Sequence, residues 1–245
     1  MANTSNLLFE AIEEQVHAYV GHPFLRACQV PQTVSRFHFE VANAILTAGN
    51  VDESTAKSVL EALLLLEQGL SVHDEVDKRT GRLRQLTVLA GDYNSSQYYY
   101  ILTRVGDFEL INRLSGAIIR INEAKMKLSQ FGDQVDSETY LNLQEKVHGD
   151  LLIALAEHYL GDNGTWVAHI HSLVKAYILQ GEMVSLKAPR FFTFRQAYDW
   201  LTDSLERFRS MPSNAIVSPI YNFLVEYFLS IQSTLETLNL VEGNR

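Results

Sequence analysis

Cysteine is nearly missing from this chain. Cys28 is the only one, so no disulfide forms within it and no cysteine-based metal cluster can be built. That usage fits a reducing compartment. Proline is scarce too. The five residues Pro23, Pro31, Pro189, Pro212 and Pro219 fall between periodic segments or at first-turn positions, where a missing N–H costs little. No apolar run approaches the roughly 20 residues that a membrane helix needs; the densest, residues 60–66, contains Glu61 and is followed by Glu67. Residues 1–6 hold no basic region leading into an apolar stretch, so no signal peptide is expected there, and a cytoplasmic protein is. A basic surplus is also lacking. The formal net charge is −9, which argues against a general nucleic-acid binder. Strand-like alternation is missing as well.

What is there is helical periodicity almost throughout. It predicts helices over about 6–20, 32–48, 52 or 54 to 78, 86–103, 107–130, 137–160, 165–186, 193–209 and 218–240. Gly21 and Gly49 act as stops. Leu60, Leu63, Leu64, Leu65 and Leu66 make the third helix apolar around most of its circumference, the pattern of a helix buried on several sides. With no linker or low-complexity tract, residues 1–245 are expected to form one all-α domain.

That buried helix ends in Ser71-Val72-His73-Asp74-Glu75-Val76-Asp77-Lys78-Arg79. Acids are disfavoured at a helix C-terminus, where the dipole is negative, so an exposed helix end explains them only in part. Leu86-Thr87-Val88-Leu89-Ala90-Gly91-Asp92-Tyr93 follows shortly after. Together the two segments resemble the trans-isoprenyl diphosphate synthases, whose first aspartate-rich motif reads like HDDVID. His73-Asp74-Glu75-Val76 matches its first four positions with one Asp-to-Glu change. Arg79, Gly81 and Arg82 resemble the family's Arg-Arg-Gly element. The helix from Tyr140 through Lys146 and Val147 resembles its Tyr-Leu…Lys-Thr helix, and Ala176-Tyr177-Ile178-Leu179-Gln180-Gly181-Glu182 resembles the helix leading into the second aspartate-rich motif. The likeness covers about 32–186 and leaves the C-terminal helices, 193–240, unmatched. It implies an isoprenoid synthase-type bundle, partly degenerate.

Active members hold Mg²⁺ between two such motifs, on carboxylates at i, i+1 and i+4 that share a helical face. Here Lys78 stands four residues after Asp74, and Asp77 is one residue early. After Glu182 come Met183-Val184-Ser185-Leu186-Lys187, with no aspartate pair. The Gly-Lys-Arg-x-Arg-Pro element that binds isopentenyl diphosphate is reduced to Pro31-Gln32-Thr33-Val34-Ser35-Arg36. Asp74, Glu75 and Asp77 are therefore read as a vestigial motif. No metal or other cofactor is expected on this chain, and no catalytic residue is assigned.

These losses resemble the small subunit, component I, of the heterodimeric hexaprenyl and heptaprenyl diphosphate synthases of Gram-positive bacteria. The resemblance implies a large catalytic partner that carries the Mg²⁺, a long all-trans product destined for menaquinone, and a peripheral membrane association through that product. It also places Leu70 and Gly69, with Leu66 one turn further on, beside the growing chain. Ile111, Leu114, Ile118, Ile121, Lys125 and Leu128 form a three-four seam, which serves an internal contact or a subunit interface equally well; the resemblance favours the interface. Two rivals remain. One is a lipid-binding or regulatory helical protein that keeps only the fold. The other is a weakly active homodimer using Asp74, Glu75 and Asp77. The histidines offer no ligand spacing: His148 and His158 lie too far apart, and His169 and His171 point to different helix faces. Tyr98-Tyr99-Tyr100 reads as packing, Gly91 as a close-packing site and Asp92 as locally bonded.

Overall fold

Eight α-helices carry the chain among the described residues: α1 (Phe9–Val20), α2 (Arg36–Ala48), α3 (Glu53–Asp74), α4 (Gly81–Val105), α5 (Phe108–Phe131), α6 (Ser137–Leu160), α7 (Gly164–Val184) and α8 (Phe194–Ser210). The computed structural model describes residues 7–23, 25, 30, 32–161, 164–184, 190–210, 229, 230 and 233, and no strand occurs among them. The helix expected over 218–240 lies outside the described residues except at 229, 230 and 233.

The boundaries follow from local chemistry. Asp52 caps α3, accepting the Thr55 N–H at 3.1 Å and the Ser54 hydroxyl at 2.7 Å. Asp136 caps α6 through the Thr139 N–H at 3.0 Å. Gly106 ends α4 with a left-handed φ of 81°, its N–H returning to the Leu102 carbonyl at 3.0 Å. Two expected ends shift. α3 stops at Asp74, and Val76–Lys78 forms a separate 3₁₀ turn. α4 begins at Gly81 rather than near residue 86. Leu83 and Leu86 pack there against Leu25, Val30, Val72 and Ala90, and that burial outweighs the polar composition of the first turns.

The chain divides into two compact units: Met1–Leu114 with His158–Leu160, and Ser115–Glu157 with Gly161–Arg245. In the first, α3 is the central element, packed against α1, α2 and α4. Leu60 and Leu63 through Leu66 are buried, as their all-round apolar pattern predicts. The α3–α4 contact is close because two glycines make it so. A Cβ on Gly69 would stand 3.2 Å from the Gly91 carbonyl oxygen and 3.0 Å from the Ser95 hydroxyl; one on Gly91 would meet His73 Nε2 at 2.6 Å. Beside them, buried Asn94 donates through Nδ2 to Gln68 Oε1 at 3.1 Å. In the second unit α7 packs against α8. No helix of the described residues is long and apolar enough to cross a membrane.

Candidate functional site

Two of the acids at the end of α3 have cations beside them. Glu75 leaves the α-helix as its C-cap and accepts the Lys78 ammonium at 2.6 Å, with Arg79 Nη2 at 3.9 Å from its other oxygen. Asp77 sits in the 3₁₀ turn, 94% exposed, with Arg84 Nη2 at 3.6 Å. His73 lies on the bare backbone of Gly91, its Nε2 3.3 Å from Asp92 Oδ1. Asp74 alone remains on the α-helical path. Because the helix ends there, Asp74, Glu75 and Asp77 do not project from one continuous α-helical face. Lys78 occupies the i+4 position with a cation. This set does not fit Mg²⁺, which needs several converging oxygen ligands. Among the described residues no three His, Cys, Asp or Glu side chains form a group suited to a metal ion.

Upstream on α3, Leu66 is buried and Leu70 half-buried. The space left by Gly69 is taken by Ser95, Asn94 and the Gly91 carbonyl of α4. On α5, Leu114 and Ile121 are buried within this chain itself, whereas Ile111 and Ile118 are half-buried. The exposed apolar residues of α5 are Phe108, Ile119, Met126 and Phe131. Ile119 and Met126 escaped the sequence reading. The three-four rule selects a seam of which Leu114 and Ile121 are buried and Ile111 and Ile118 half-buried, and Asn112, Ser115 and Asn122 interrupt the outer row.

The second unit contains a cleft of about 430 Å³ lined by Gln144 and His148 of α6 and by Tyr177, Gln180 and Glu182 of α7. Its lone acid is engaged: the Tyr140 hydroxyl donates to Glu182 at 2.5 Å and accepts from Gln144 Nε2 at 3.1 Å. Phe191 stacks on the Tyr140 ring, centroids 4.2 Å apart. Burial, then the Glu182 hydrogen bond and charge, push the Tyr140 phenol far above its ordinary value. Tyr140, Gln144 and His148 follow an i, i+4, i+8 spacing, the one signal in the sequence that unites them. Lys146 is exposed to solvent. The other histidines have separate partners: His158 pairs with Asp107 at 2.7 Å and His171 with Glu145 at 3.2 Å, while burial lowers the pKa of His169.

Known proteins bear on the family and the fold. The family described as heptaprenyl diphosphate synthase (HEPPP synthase) subunit 1 matches residues 22–211. A protein of Geobacillus stearothermophilus, heptaprenyl diphosphate synthase component 1, is 31% identical over 141 residues; the match spans 56% of this chain and 63% of that relative. Among solved structures, a decaprenyl diphosphate synthase from Rhodobacter capsulatus is similar with a TM-score of 0.68 at 11% identity, covering 92% of this chain and 95% of that one. A geranylgeranyl pyrophosphate synthetase from Geoglobus acetivorans gives 0.61 at 13% identity, covering 91% and 97%. At such identities these structures establish the fold, an all-α isoprenoid synthase bundle. With the fold and the matched residues in agreement, the chain belongs to the heptaprenyl diphosphate synthase subunit 1 family.

Proposed function

We propose that this chain is the non-catalytic small subunit of a two-component trans-polyprenyl diphosphate synthase. The observation that carries the reading is the state of its carboxylates. Glu75 and Asp77 are tied to Lys78 and Arg84, and Glu182 to Tyr140. Asp74 by itself does not supply the several converging carboxylates that bridge a metal to a diphosphate, so magnesium chemistry is assigned to a large partner subunit. The assembled enzyme adds isopentenyl diphosphate to an allylic diphosphate such as farnesyl diphosphate. The product is a hexaprenyl or heptaprenyl chain for menaquinone, made in the cytoplasm and delivered at the membrane surface.

This chain's contribution is then apolar surface. Half-buried Ile111 and Ile118 and exposed Ile119 and Met126 give α5 an uncharged outer face for the partner. Truncating side chains at such a surface costs affinity chiefly at a few well-packed anchors. Leu66 and Leu70 lie on the part of α3 assigned to the product wall, where packed side chains yield little and so limit product length.

The test is reconstitution. This chain, the large subunit and their mixture are each given Mg²⁺, farnesyl diphosphate and isopentenyl diphosphate, and the products are separated by chain length. Long-chain product is expected from the mixture alone. Robust turnover by this chain alone would sink the proposal, as would a large subunit whose rate and product length ignore the addition of this one.

A further inference from the structure

The first unit holds a second cleft, about 470 Å³ in volume, lined among others by Tyr19 of α1, Ser54, Thr55 and Ser58 of α3, and Tyr100 and Arg104 of α4. It lies at the N-terminal turns of α3, whereas His73 and Asp74 close the same helix at its other end. At the rise of an α-helix that is a separation of ~30 Å. The cleft therefore owes nothing to the acidic motif, and its role is independent of the subunit reading above.

Arg104 is the one formal charge among the lining residues. It donates through Nη1 to the Tyr100 hydroxyl at 3.0 Å and lies 5.5 Å from the centre of that ring. No carboxylate of the described residues pairs with it. Tyr100, having accepted this bond, keeps its own O–H to give. Burial, then the charge of Glu61 and its hydrogen bond with the Tyr19 hydroxyl, raise the Tyr19 pKa, and the Arg104 charge opposes them more weakly. The α3 hydroxyls are spent as donors. Ser54 and Thr55 bond to Asp52, and Ser58 to the Ser54 carbonyl at 3.1 Å. Their oxygens remain acceptors. Asp52, held as a carboxylate with its pKa lowered to about 2, keeps an anion away from that side.

One wall thus offers a guanidinium and a phenol O–H, and the other offers hydroxyl acceptors. An oxyanion suits the first, since arginine is matched to phosphate oxygens in charge and geometry. Alcohol groups suit the second. The volume falls in the range of about 300–1,000 Å³ usual for small-molecule sites and exceeds what a bare phosphate fills. We propose that this cleft binds a small polyol phosphate, free or as the headgroup of an anionic phospholipid, with its phosphoryl group on Arg104 and Tyr100.

The full chain is titrated calorimetrically with glycerol 3-phosphate and with inorganic phosphate, and is sedimented with vesicles of phosphatidylglycerol or of phosphatidylcholine. Glycerol 3-phosphate is expected to bind more tightly than inorganic phosphate. Arg104→Gln should weaken it at least tenfold without moving the melting temperature, because Arg104 is exposed; Arg104→Lys should restore part of the loss and Tyr100→Phe should cause a smaller one. Retention on phosphatidylglycerol vesicles alone, competed by glycerol 3-phosphate, identifies the headgroup. Binding of the soluble ester without vesicle retention identifies the free compound. The proposal is overturned if the unmodified chain binds none of the probes, or if Arg104→Gln binds them equally well.

Discussion

The two units hold their acids in different ways. In the first, Asp74, Glu75 and Asp77 follow the buried α3 across a helix end, with Lys78 and Arg79 beside Glu75 and Arg84 beside the exposed Asp77. In the second, Glu182 is the one acid lining the cleft between α6 and α7, and a tyrosine holds it. Exposed pairs of the first kind are weak and salt-screened. A hydrogen bond from a buried phenol to a carboxylate is stronger. The first region is thus positioned by the packing of α3 beneath it, and the second by the bond at the site itself.

The largest effect expected from this contrast is at Gly69. Gly69→Phe drives a ring into Ser95, Asn94 and the Gly91 backbone, and overpacking of a tight contact costs about 1–3 kcal/mol or more. Urea denaturation should show that loss. A fully stable variant would mean that α3 and α4 separate easily and that Gly69 faces open space.

Tyr140→Phe comes next. It removes the donor to Glu182 while leaving the stack on Phe191, and should cost about 1.5–3 kcal/mol, the range for hydrogen bonds to charged groups. The same denaturation measurement checks it, and a loss no larger than that of a surface pair would erase the difference between the units.

A pH effect is expected at Glu61. Burial raises its carboxyl above the ordinary 4.5, against Lys57 and the Tyr19 hydroxyl, which lower it. A raised acid binds its proton more tightly when folded, so its contribution to stability is greatest below 4.5 and is lost as pH rises through the folded value. Glu61→Gln should therefore melt higher than the parent at neutral pH, with a gain that shrinks as pH falls through the folded value and is lost below 4.5. A gain independent of pH would refute the assignment.

Glu75→Gln should do least. It breaks exposed contacts to Lys78 and Arg79 worth at most about 1 kcal/mol, and raised salt should shrink even that. A loss matching Tyr140→Phe would show that the acidic end is positioned by its ion pairs after all.

Helix positions were legible wherever capping residues and apolar period coincide: α6 begins and ends at Ser137 and Leu160, as its pattern indicates. They were less so where long-range burial decides. Arg82, Arg84 and Gln85 look like loop, yet Leu83 and Leu86 find a core formed by Leu25, Val30 and Val72. The missing carboxylates were visible as residue types. The contacts that the remaining Glu75, Asp77 and Glu182 make with Lys78, Arg84 and Tyr140 were not, because the Asp77–Arg84 and Tyr140–Glu182 contacts depend on where chain directions change. The seam on α5 was read correctly as apolar, but periodicity cannot tell an inner face from an outer one.

The paired glycines of α3 and α4 have one more effect. They index rotation. With the Gly69 backbone seated against the Gly91 carbonyl, α3 cannot turn about its own axis without driving a side chain into α4. In the 3₁₀ turn that follows α3, moving a role from Lys78 to Asp77 asks for a turn of about 120°, one residue's worth. Thermal motion cannot supply such a turn through a locked contact. Metal ligands could return to this helix end only by substitutions in register with the lock, as with a key already cut to its wards.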